Sequence, residues 1–267
     1  MLVTHDVNGL VTRRANAPDG RPSCANLSAV RTALGIGAVG AVGAIGVAAY
    51  AAPSLVRALP PTLFPALCGI TTTGHVALTF DDGPDPASTP AILAMLDRLG
   101  WRATFFCLGS MVDKAPSLAK EMVDAGHELA VHGYVHEGAI RRTPRDLSDD
   151  VARTRDLLHE TTGREAHWYR PPFGELSGGS FVAARRAGLR LILWSAWGRD
   201  WRADATPGSI VRDLAKGTVA GGTLLLHDSD CTATPSSWRM TLAALPLLHE
   251  RLDGLRVGPL REHGLAA

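Results

Sequence analysis

The sequence contains few cysteines and carries almost no net charge. Four cysteines in 267 residues are too few for a fold held together by disulfides. Because 27 Lys and Arg residues nearly balance 26 Asp and Glu residues, the net charge of +1 provides no overall field that would attract a polyanion. We therefore expect no nucleic-acid partner, and the sequence indicates no obligate protein partner.

A second absence is local, because residues 32–56 contain no charged side chain. As a helix this run would span about 37 Å, which exceeds the thickness of about 30 Å of a bilayer hydrocarbon core. Several arginines precede the run and a single arginine directly follows it, which favours a cytoplasmic amino terminus. We predict a cytoplasmic tail at 1–31 and a hydrophobic helix at 32–56 that anchors the chain in the membrane, with the remainder outside the cytoplasm.

Two other interpretations of this run stay open. Ala49-Tyr50-Ala51 fits the small-x-small pattern of a signal-peptide cleavage site, so the chain could be secreted after cleavage following Ala51. The tail before the apolar run is long for a signal peptide, and we therefore favour the anchor. The third interpretation is a buried helix of a soluble protein.

Three glycines in this run, Gly35, Gly37 and Gly40, have the spacing of a dinucleotide-binding fingerprint. That fingerprint follows a strand and precedes an acidic residue by about 20 positions. No strand is predicted before these glycines, and the first acidic residue after them is Asp81. We reject a nicotinamide-dependent oxidoreductase and attribute the small residues to close helix packing in lipid.

The rest of the chain divides into a predicted linker at 57–73 and one domain-sized body at 74–267. In the body, short apolar runs alternate with longer amphipathic ones, which predicts a parallel sheet connected by helices. The predicted strands are 76–80, 103–108, 128–131, 167–170, 189–194 and 223–226. Periodicity alone fits both a closed barrel and an open doubly wound sheet.

Residues able to perform chemistry follow the predicted strands at their carboxyl ends. In parallel α/β folds the loops that leave these ends converge on one mouth. Any one cluster could be a turn or a satisfied core residue, but five at one edge are much less expected by chance. The clusters are Asp81-Asp82, His132 with His136, Arg170 before Pro171-Pro172-Phe173-Gly174, Asp200-Trp201 and His227-Asp228.

Together these residue types predict metal-assisted acyl hydrolysis. An Asp and two histidines spaced H-x-x-x-H form a three-ligand set for a divalent ion such as Zn²⁺, which lowers the pKa of bound water toward about 7. The other carboxylate of the Asp81-Asp82 pair stays free to act as a base, because adjacent side chains on an extended chain point apart. His227 can protonate a leaving nitrogen, with Asp200 holding the imidazolium.

The same residues resemble the polysaccharide deacetylases with the NodB-homology domain. The resemblance covers roughly residues 74–227 and implies a distorted, incomplete (β/α) barrel of about seven strands that removes acetyl groups from N-acetylated sugar polymers. The five family motifs are matched in order by Thr79-Phe80-Asp81-Asp82-Gly83-Pro84, His132-Gly133-Tyr134-Val135-His136, Arg170-Pro171-Pro172-Phe173-Gly174, Asp200-Trp201 and Leu225-Leu226-His227.

The resemblance also implies a role for each residue of the chemistry. It makes Asp81 the base, steadied by Arg170, and His227 the general acid, for which we expect Asp200 as the partner. A divalent cation, for which we favour Zn²⁺, would be bound by Asp82, His132 and His136.

For the substrate, the resemblance places the backbone N–H of Phe173 at the oxyanion and Trp201 and Leu225 around the acetyl methyl. Two positions depart from the family pattern. Gly133 stands where the family usually has Ser or Thr, and Trp197 stands where it often has another Asp. We expect Trp197 to join Trp201 as a platform for a sugar ring.

The expected substrate is a polysaccharide that contains N-acetylglucosamine, of the peptidoglycan or chitin type. Two alternatives stay open. The same chemistry would attack an ester, which would make the protein an O-acetyl esterase on acetylated glycans such as xylan. The domain could also be a non-catalytic barrel that binds carbohydrate through its tryptophans.

Overall fold

The computed structural model describes residues 50–217 and 219–265, which belong to one unit, Val47–Ala267. The predicted tail at 1–31 and most of the predicted hydrophobic helix at 32–56 lie outside the described residues. The end of that run continues into a 3₁₀ helix at Ala52–Ala58. Among the described residues, no helix combines the length and the apolar character that a membrane crossing requires.

Strands and helices alternate along the described chain as the sequence predicts. The strands are β1 (Val76–Asp81), β2 (Thr104–Leu108), β3 (Glu128–Gly133), β4 (Trp168–Tyr169), β5 (Arg190–Leu191), β6 (Ala196–Trp197), β7 (Thr223–His227) and β8 (Val257–Gly258). The helices are α1 (Thr89–Arg98), α2 (Gly109–Lys114), α3 (Pro116–Asp124), α4 (Pro144–Thr162), α5 (Gly178–Arg186), α6 (Pro207–Leu214) and α7 (Trp238–Arg251). The short strands β6 and β8 are additions to the six predicted strands.

The strands form one parallel sheet in the order β5-β4-β3-β2-β1-β7-β6, with β8 also paired to β1. Strands β5 and β6 are the two ends of this path, and each pairs with a single neighbour. Both are only two residues long, and among the described residues no hydrogen-bonded ladder joins them, so the barrel is not closed. The predicted distorted, incomplete (β/α) barrel is thereby confirmed.

Strand β1, which pairs with β2, β7 and β8, explains where the site lies. All six of its residues are buried, because helices cover one face and the barrel interior the other. Phe80 and Phe105 stack beneath the helices with their ring centroids 5.0 Å apart, while Ala77 and Phe106 belong to a separate interior cluster. The carboxyl end of β1, Asp81, therefore lies at the centre of the barrel mouth.

Part of the predicted linker packs along the sheet. The backbone N–H of Thr71 donates to Gly221 O at 2.7 Å, and the hydroxyl of Thr223 in β7 donates to Gly69 O at 2.9 Å. These bonds fix the chain just before β1 against the strand that pairs with β1.

Two buried histidines, His75 and His263, connect the same segment to the carboxyl-terminal end. Their Nδ1 atoms lie 2.9 Å apart, and His263 Nε2 lies 2.9 Å from Gly69 O. Because a carbonyl only accepts, His263 donates from Nε2 and accepts at Nδ1 from His75. A further proton on His263 would place two N–H groups face to face, and a further proton on His75 would go to Nε2, which is buried and has no hydrogen-bond partner among the described residues. Burial, together with the neighbouring His263, lowers the pKa of His75 to about 4.

We expect acid to weaken the fold through this pair. As the pH falls from 6.5 toward 4, the unfolded chain takes up a proton that folded His75 resists. The free energy of unfolding therefore decreases with falling pH in this window, by at most about 1.4 kcal/mol per pH unit for one such group. Denaturant unfolding of chelator-treated protein at a series of pH values measures this slope. His75→Gln should flatten it and the exposed-site variant His159→Gln should not; equal slopes in all three proteins would contradict the role of the pair.

Candidate active site

The five polar clusters meet at the carboxyl edge of the sheet, around a pocket of about 290 Å³. Strand register brings the first and the last cluster together, because Asp81 in β1 pairs with His227 in β7. Two predicted residues, Arg170 and Asp200, lie behind the pocket wall and contact residues that line it. The lining residues are Arg57, Asp81, Asp82, His132, His136, Phe173, Gly174, Trp194, Trp197, Trp201, Leu225, His227 and Thr232.

Asp82, His132 and His136 form a candidate metal centre at the base of the pocket. Asp82 Oδ1 lies 3.4 Å from the Nε2 atoms of both histidines, and one ligand atom from each of the three residues lies within 4.8 Å of the others. Asp82 Oδ1 is buried and receives no hydrogen bond from the described residues. A carboxylate oxygen left without a donor and facing two imidazole nitrogens fits a divalent cation, since Asp and His are both common ligands of such ions.

Outer contacts orient these ligands. His132 Nδ1 lies 2.8 Å from Arg170 O, so the ring donates there and turns Nε2 toward Asp82. The Thr232 hydroxyl donates to Asp82 Oδ2 at 2.6 Å. Oδ2 of Asp82 is thus hydrogen-bonded to Thr232, while Oδ1 faces the two histidines. The His136 ring packs edge to face on Phe173, with centroids 4.3 Å apart.

The electrostatics of the centre match this arrangement. Burial would raise the pKa of Asp82, but the adjacent imidazole of His132 and the charge of His227 hold that pKa well below its usual range. Burial lowers the pKa of His136 to about 4, against the opposing pull of Asp82. An ionised carboxylate beside a neutral imidazole is the state in which both residues bind a cation.

The backbone of the Asp81-Asp82 pair is not extended. Asp82 has a φ of 84°, in the left-handed region that is uncommon for residues other than glycine. Both carboxylates consequently approach the same ring: Asp81 Oδ2 is 3.8 Å and Asp82 Oδ1 3.4 Å from His132 Nε2. The expectation that these two side chains point apart is wrong, because it assumes an extended backbone through Asp82, whereas β1 ends at Asp81 and Asp82 adopts a left-handed conformation.

Arg170 fixes the carboxylate of Asp81 through a hydrogen bond. Its Nη1 donates to Asp81 Oδ1 at 2.7 Å and to the Thr79 hydroxyl at 2.8 Å, and its Nη2 donates to Leu193 O at 2.8 Å. The fully buried guanidinium also lies 3.9 Å from the centroid of the Phe106 ring. These contacts fix one oxygen of Asp81 and leave Oδ2 facing the pocket.

Asp200 holds His227 in the same way. Its Oδ1 lies 2.8 Å from His227 Nδ1, while Oδ2 accepts from the His227 backbone N–H at 2.8 Å and from the Thr241 hydroxyl at 2.7 Å. Burial disfavours the imidazolium, but the charge and hydrogen bond of Asp200, with Asp82 and Asp81 nearby, outweigh it and raise the pKa of His227 to about 10. His227 is therefore held protonated, which suits a proton donor.

Three tryptophans form one wall of the pocket. The ring centroids of Trp194 and Trp197 lie 5.6 Å apart and those of Trp197 and Trp201 lie 6.0 Å apart. Leu225, which is almost fully buried, completes the apolar lining between the aromatic wall and His227. The expected pairing of Trp197 with Trp201 is present, and Trp194 extends it.

Gly133 is the first departure from the family pattern, and a carboxylate instead of a hydroxyl holds the loop after it. This residue has a φ of 106°, and a Cβ there would lie 3.0 Å from Asp150 Oδ2. Asp150, on α4, accepts from the Tyr134 backbone N–H at 2.7 Å and from Arg142 Nη1 at 2.8 Å. The carboxylate from the helix thus braces the loop that a hydroxyl after His132 would otherwise hold.

Three pocket residues were not predicted from the sequence. Trp194 lies at the end of a predicted strand, Thr232 lies in the loop after β7, and Arg57 lies before the predicted domain at 74–267. For Trp194, the signal was its place at the end of a predicted strand. Thr232 and Arg57 carry no local signal, because their positions depend on contacts 150 and 116 residues away.

We expect the Thr232 hydroxyl to strengthen cation binding by orienting Asp82. Thr232→Val should lower the affinity for a divalent cation about 10- to 100-fold, the effect typical of a lost outer hydrogen bond. Calorimetric titration with the metal alone measures the affinity independently of turnover. Thr232→Ser should retain it, and Thr234→Val serves as a control in the same loop; unchanged affinity in Thr232→Val would refute the role.

Comparisons with known proteins agree with this site. The polysaccharide deacetylase family model matches residues 69–192. The chain is 37% identical over 155 residues to a peptidoglycan-N-acetylglucosamine deacetylase of Bacillus cereus, covering 57% of this chain and 72% of that protein. It is 31% identical over 204 residues to a chitooligosaccharide deacetylase of Bradyrhizobium sp., covering 72% and 91%.

A solved structure of a peptidoglycan N-acetylglucosamine deacetylase in complex with 4-naphthalen-1-yl-N-oxidanyl-benzamide superposes with a TM-score of 0.68 and 26% identity. The match covers 74% of this chain and 92% of that one. Relatives of this similarity, matched over most of their length, confirm the resemblance that the five motifs indicated. The chain belongs to the polysaccharide deacetylase family.

Proposed function

We propose that the protein is a metal-dependent hydrolase that removes N-acetyl groups from a polysaccharide containing N-acetylglucosamine, of the peptidoglycan or chitin type. The observation that carries the proposal is the meeting of a three-ligand metal centre, an Arg-held carboxylate and an Asp-held histidine in one pocket. The names of the relatives, a peptidoglycan and a chitooligosaccharide deacetylase, support the substrate class.

Asp82, His132 and His136 would hold the cation, and we favour Zn²⁺ because two imidazoles and one carboxylate suit it well. When bound, the cation would polarise the acetyl carbonyl and make a water molecule more acidic. Thr232 and Arg170 O keep the carboxylate and one of the imidazoles oriented, so the ligands are arranged before the cation arrives.

Asp81 would act as the base. Its Oδ1 is held by Arg170, so Oδ2 is the oxygen that takes a proton from the attacking water. The guanidinium fixes the direction of the carboxylate and balances its charge within the buried site. The water oxygen then forms the new bond to the acetyl carbon.

His227 would act as the acid. Its Nδ1 is bonded to Asp200, which leaves Nε2 as the atom that gives a proton to the amide nitrogen as the C–N bond breaks. The nitrogen departs as the amine of the sugar, and the acetyl group departs as acetate. A pKa of about 10 keeps this proton available at neutral pH.

The remaining pocket residues would bind the acetamido group and the sugar. The Phe173 backbone N–H, presented by a turn with a φ of 59°, would donate to the oxygen on which negative charge develops. Leu225 and Trp201 would enclose the acetyl methyl. Trp197 and Trp194 continue the apolar wall and offer stacking faces for a sugar ring.

We expect the full chain, supplied with metal, to release acetate from N-acetylated glycan and to stop when chelator is added. Asp81→Asn should retain the metal but lose about 100-fold or more in kcat. Acetate release and bound metal are measured together, and readdition of Zn²⁺ or other divalent ions identifies the ion that restores turnover. Asp149→Asn, an exposed carboxylate on α4, is the control.

Unchanged turnover in Asp81→Asn would refute the assignment of the base. N- and O-acetylated glycans assayed side by side distinguish the amidase from an O-acetyl esterase, which would act on acetylated xylan alone. Glycan binding without release of acetate, with metal present, would indicate a carbohydrate-binding barrel.

For location, we propose a membrane-anchored protein whose catalytic domain lies outside the cytoplasm. The arginine bias around residues 32–56 supports this orientation. A contact of Tyr50 favours an uncleaved chain, because its hydroxyl donates to Arg142 O at 2.6 Å and cleavage after Ala51 would remove it. Fractionation and protease treatment of intact cells should show a membrane-bound, externally digestible chain. Recovery in the soluble cytoplasmic fraction would contradict the proposal.

A further inference from the structure

A short segment ahead of the family-matched region is docked on the catalytic body. Tyr50 donates through its hydroxyl to Arg142 O at 2.6 Å, and its ring lies over Gly178 at the start of α5. At Gly179 a Cβ would collide with the Tyr50 hydroxyl, so the glycine provides the space that this side chain fills. The segment 50–57 therefore has a defined seat, although the family match begins only at residue 69.

The docked segment 50–57 places Arg57 at the mouth of the active-site pocket. Its Nη1 donates to Phe173 O, in the turn that follows Arg170, and its side chain lines the same pocket as Asp82 and His136. Arg57 Cδ and the Trp194 ring both lie close to Gly174, which places the guanidinium beside the aromatic wall.

The charge of Arg57 differs from the other charges at the pocket because no carboxylate balances it. Asp81 is paired with Arg170 at 2.7 Å, and His227 with Asp200 at 2.8 Å. Within the described part of the chain, Arg57 makes one hydrogen bond and no ion pair. A guanidinium has five N–H donors in a planar fork, so most of the donors of this pocket-lining side chain have no partner among the described residues.

An open guanidinium fork is suited to a carboxylate, which it binds through two parallel hydrogen bonds. The acetyl group must enter among Asp81, His132 and His227, whereas Arg57 lies further out, beside Phe173 and Trp194. An anionic group reaching Arg57 would therefore belong to a neighbouring part of the glycan and not to the acetamido group that reacts.

We propose that Arg57 binds a carboxylate on the sugar next to the one that loses its acetyl group. The proposal rests on the proposed function and narrows its substrate class, since it selects an anionic glycan with N-acetylmuramic acid residues over a neutral chitin-type glycan. The residue that makes the selection is supplied by the segment before the family domain.

The test uses the metal-loaded full chain and two matched glycans. One alternates N-acetylglucosamine and N-acetylmuramic acid with free carboxylates, and the other is the same oligosaccharide with those carboxylates reduced to alcohols. For wild type, kcat/KM should be about tenfold higher on the carboxylated glycan, mainly through KM, and the ratio should shrink as salt is raised. Arg57→Ala should abolish the preference, Arg57→Lys should retain part of it, and Arg145→Ala, at an exposed arginine on α4, should leave it intact.

Equal loss on both glycans in Arg57→Ala would overturn the proposal, because Arg57 would then only position the Phe173 turn. An unchanged preference in Arg57→Ala, or no preference in wild type, would overturn it as well. Equilibrium binding of both glycans to metal-loaded Asp81→Asn, with and without Arg57→Ala, gives a readout that needs no turnover. A missing acetate signal in wild type would refute the proposed function, and this binding comparison would still decide the role of Arg57.

Discussion

The site is built on the buried guanidinium of Arg170. Its side chain donates to Asp81, the Thr79 hydroxyl and Leu193 O, and its backbone carbonyl accepts from His132 of the candidate metal centre. Burying such a charge costs several kcal/mol, and burial alone lowers the pKa of Arg170. Asp81 offsets that cost, so the base and its support require each other. One residue thereby connects the predicted base, a candidate metal ligand and the segment after β5 that leads to the tryptophan wall.

Paired charges recur throughout the pocket. Asp200 gives both oxygens to stabilising His227, one to the ring and one to the backbone, with Thr241 adding a third hydrogen bond. Although Trp197 stands where the family often has another Asp, His227, the proposed acid, has Asp200 as its carboxylate partner. Trp197 contributes its indole ring to the tryptophan wall of the pocket. Among the described residues that line the pocket, Arg57 has no carboxylate partner, and this is the observation behind its proposed role in substrate binding.

The parallel sheet was predictable because buried strands and amphipathic helices have different hydrophobic periods. The site was predictable because parallel strands place their carboxyl ends at one edge, which brings Asp81 beside His227 despite their distance in sequence. Local backbone geometry was not predictable in the same way. The positive φ of Asp82 aims its carboxylate at the ring that Asp81 also approaches, and nothing in the spacing of the two residues indicates it.

The residue types, their order and their attachment to strand ends can be read from the sequence, and these indicate the family and the chemistry. The groups that support these residues become visible only in the folded chain. Asp150 braces the Gly133 loop, Thr232 holds Asp82, and Arg57 reaches the pocket from the segment before the family-matched residues 69–192. These contacts join segments remote in the chain, so their energies depend on packing and not on any local pattern. The sequence motifs identify the candidate reacting residues, whereas the rest of the fold sets the orientation of those residues and the charges around the pocket.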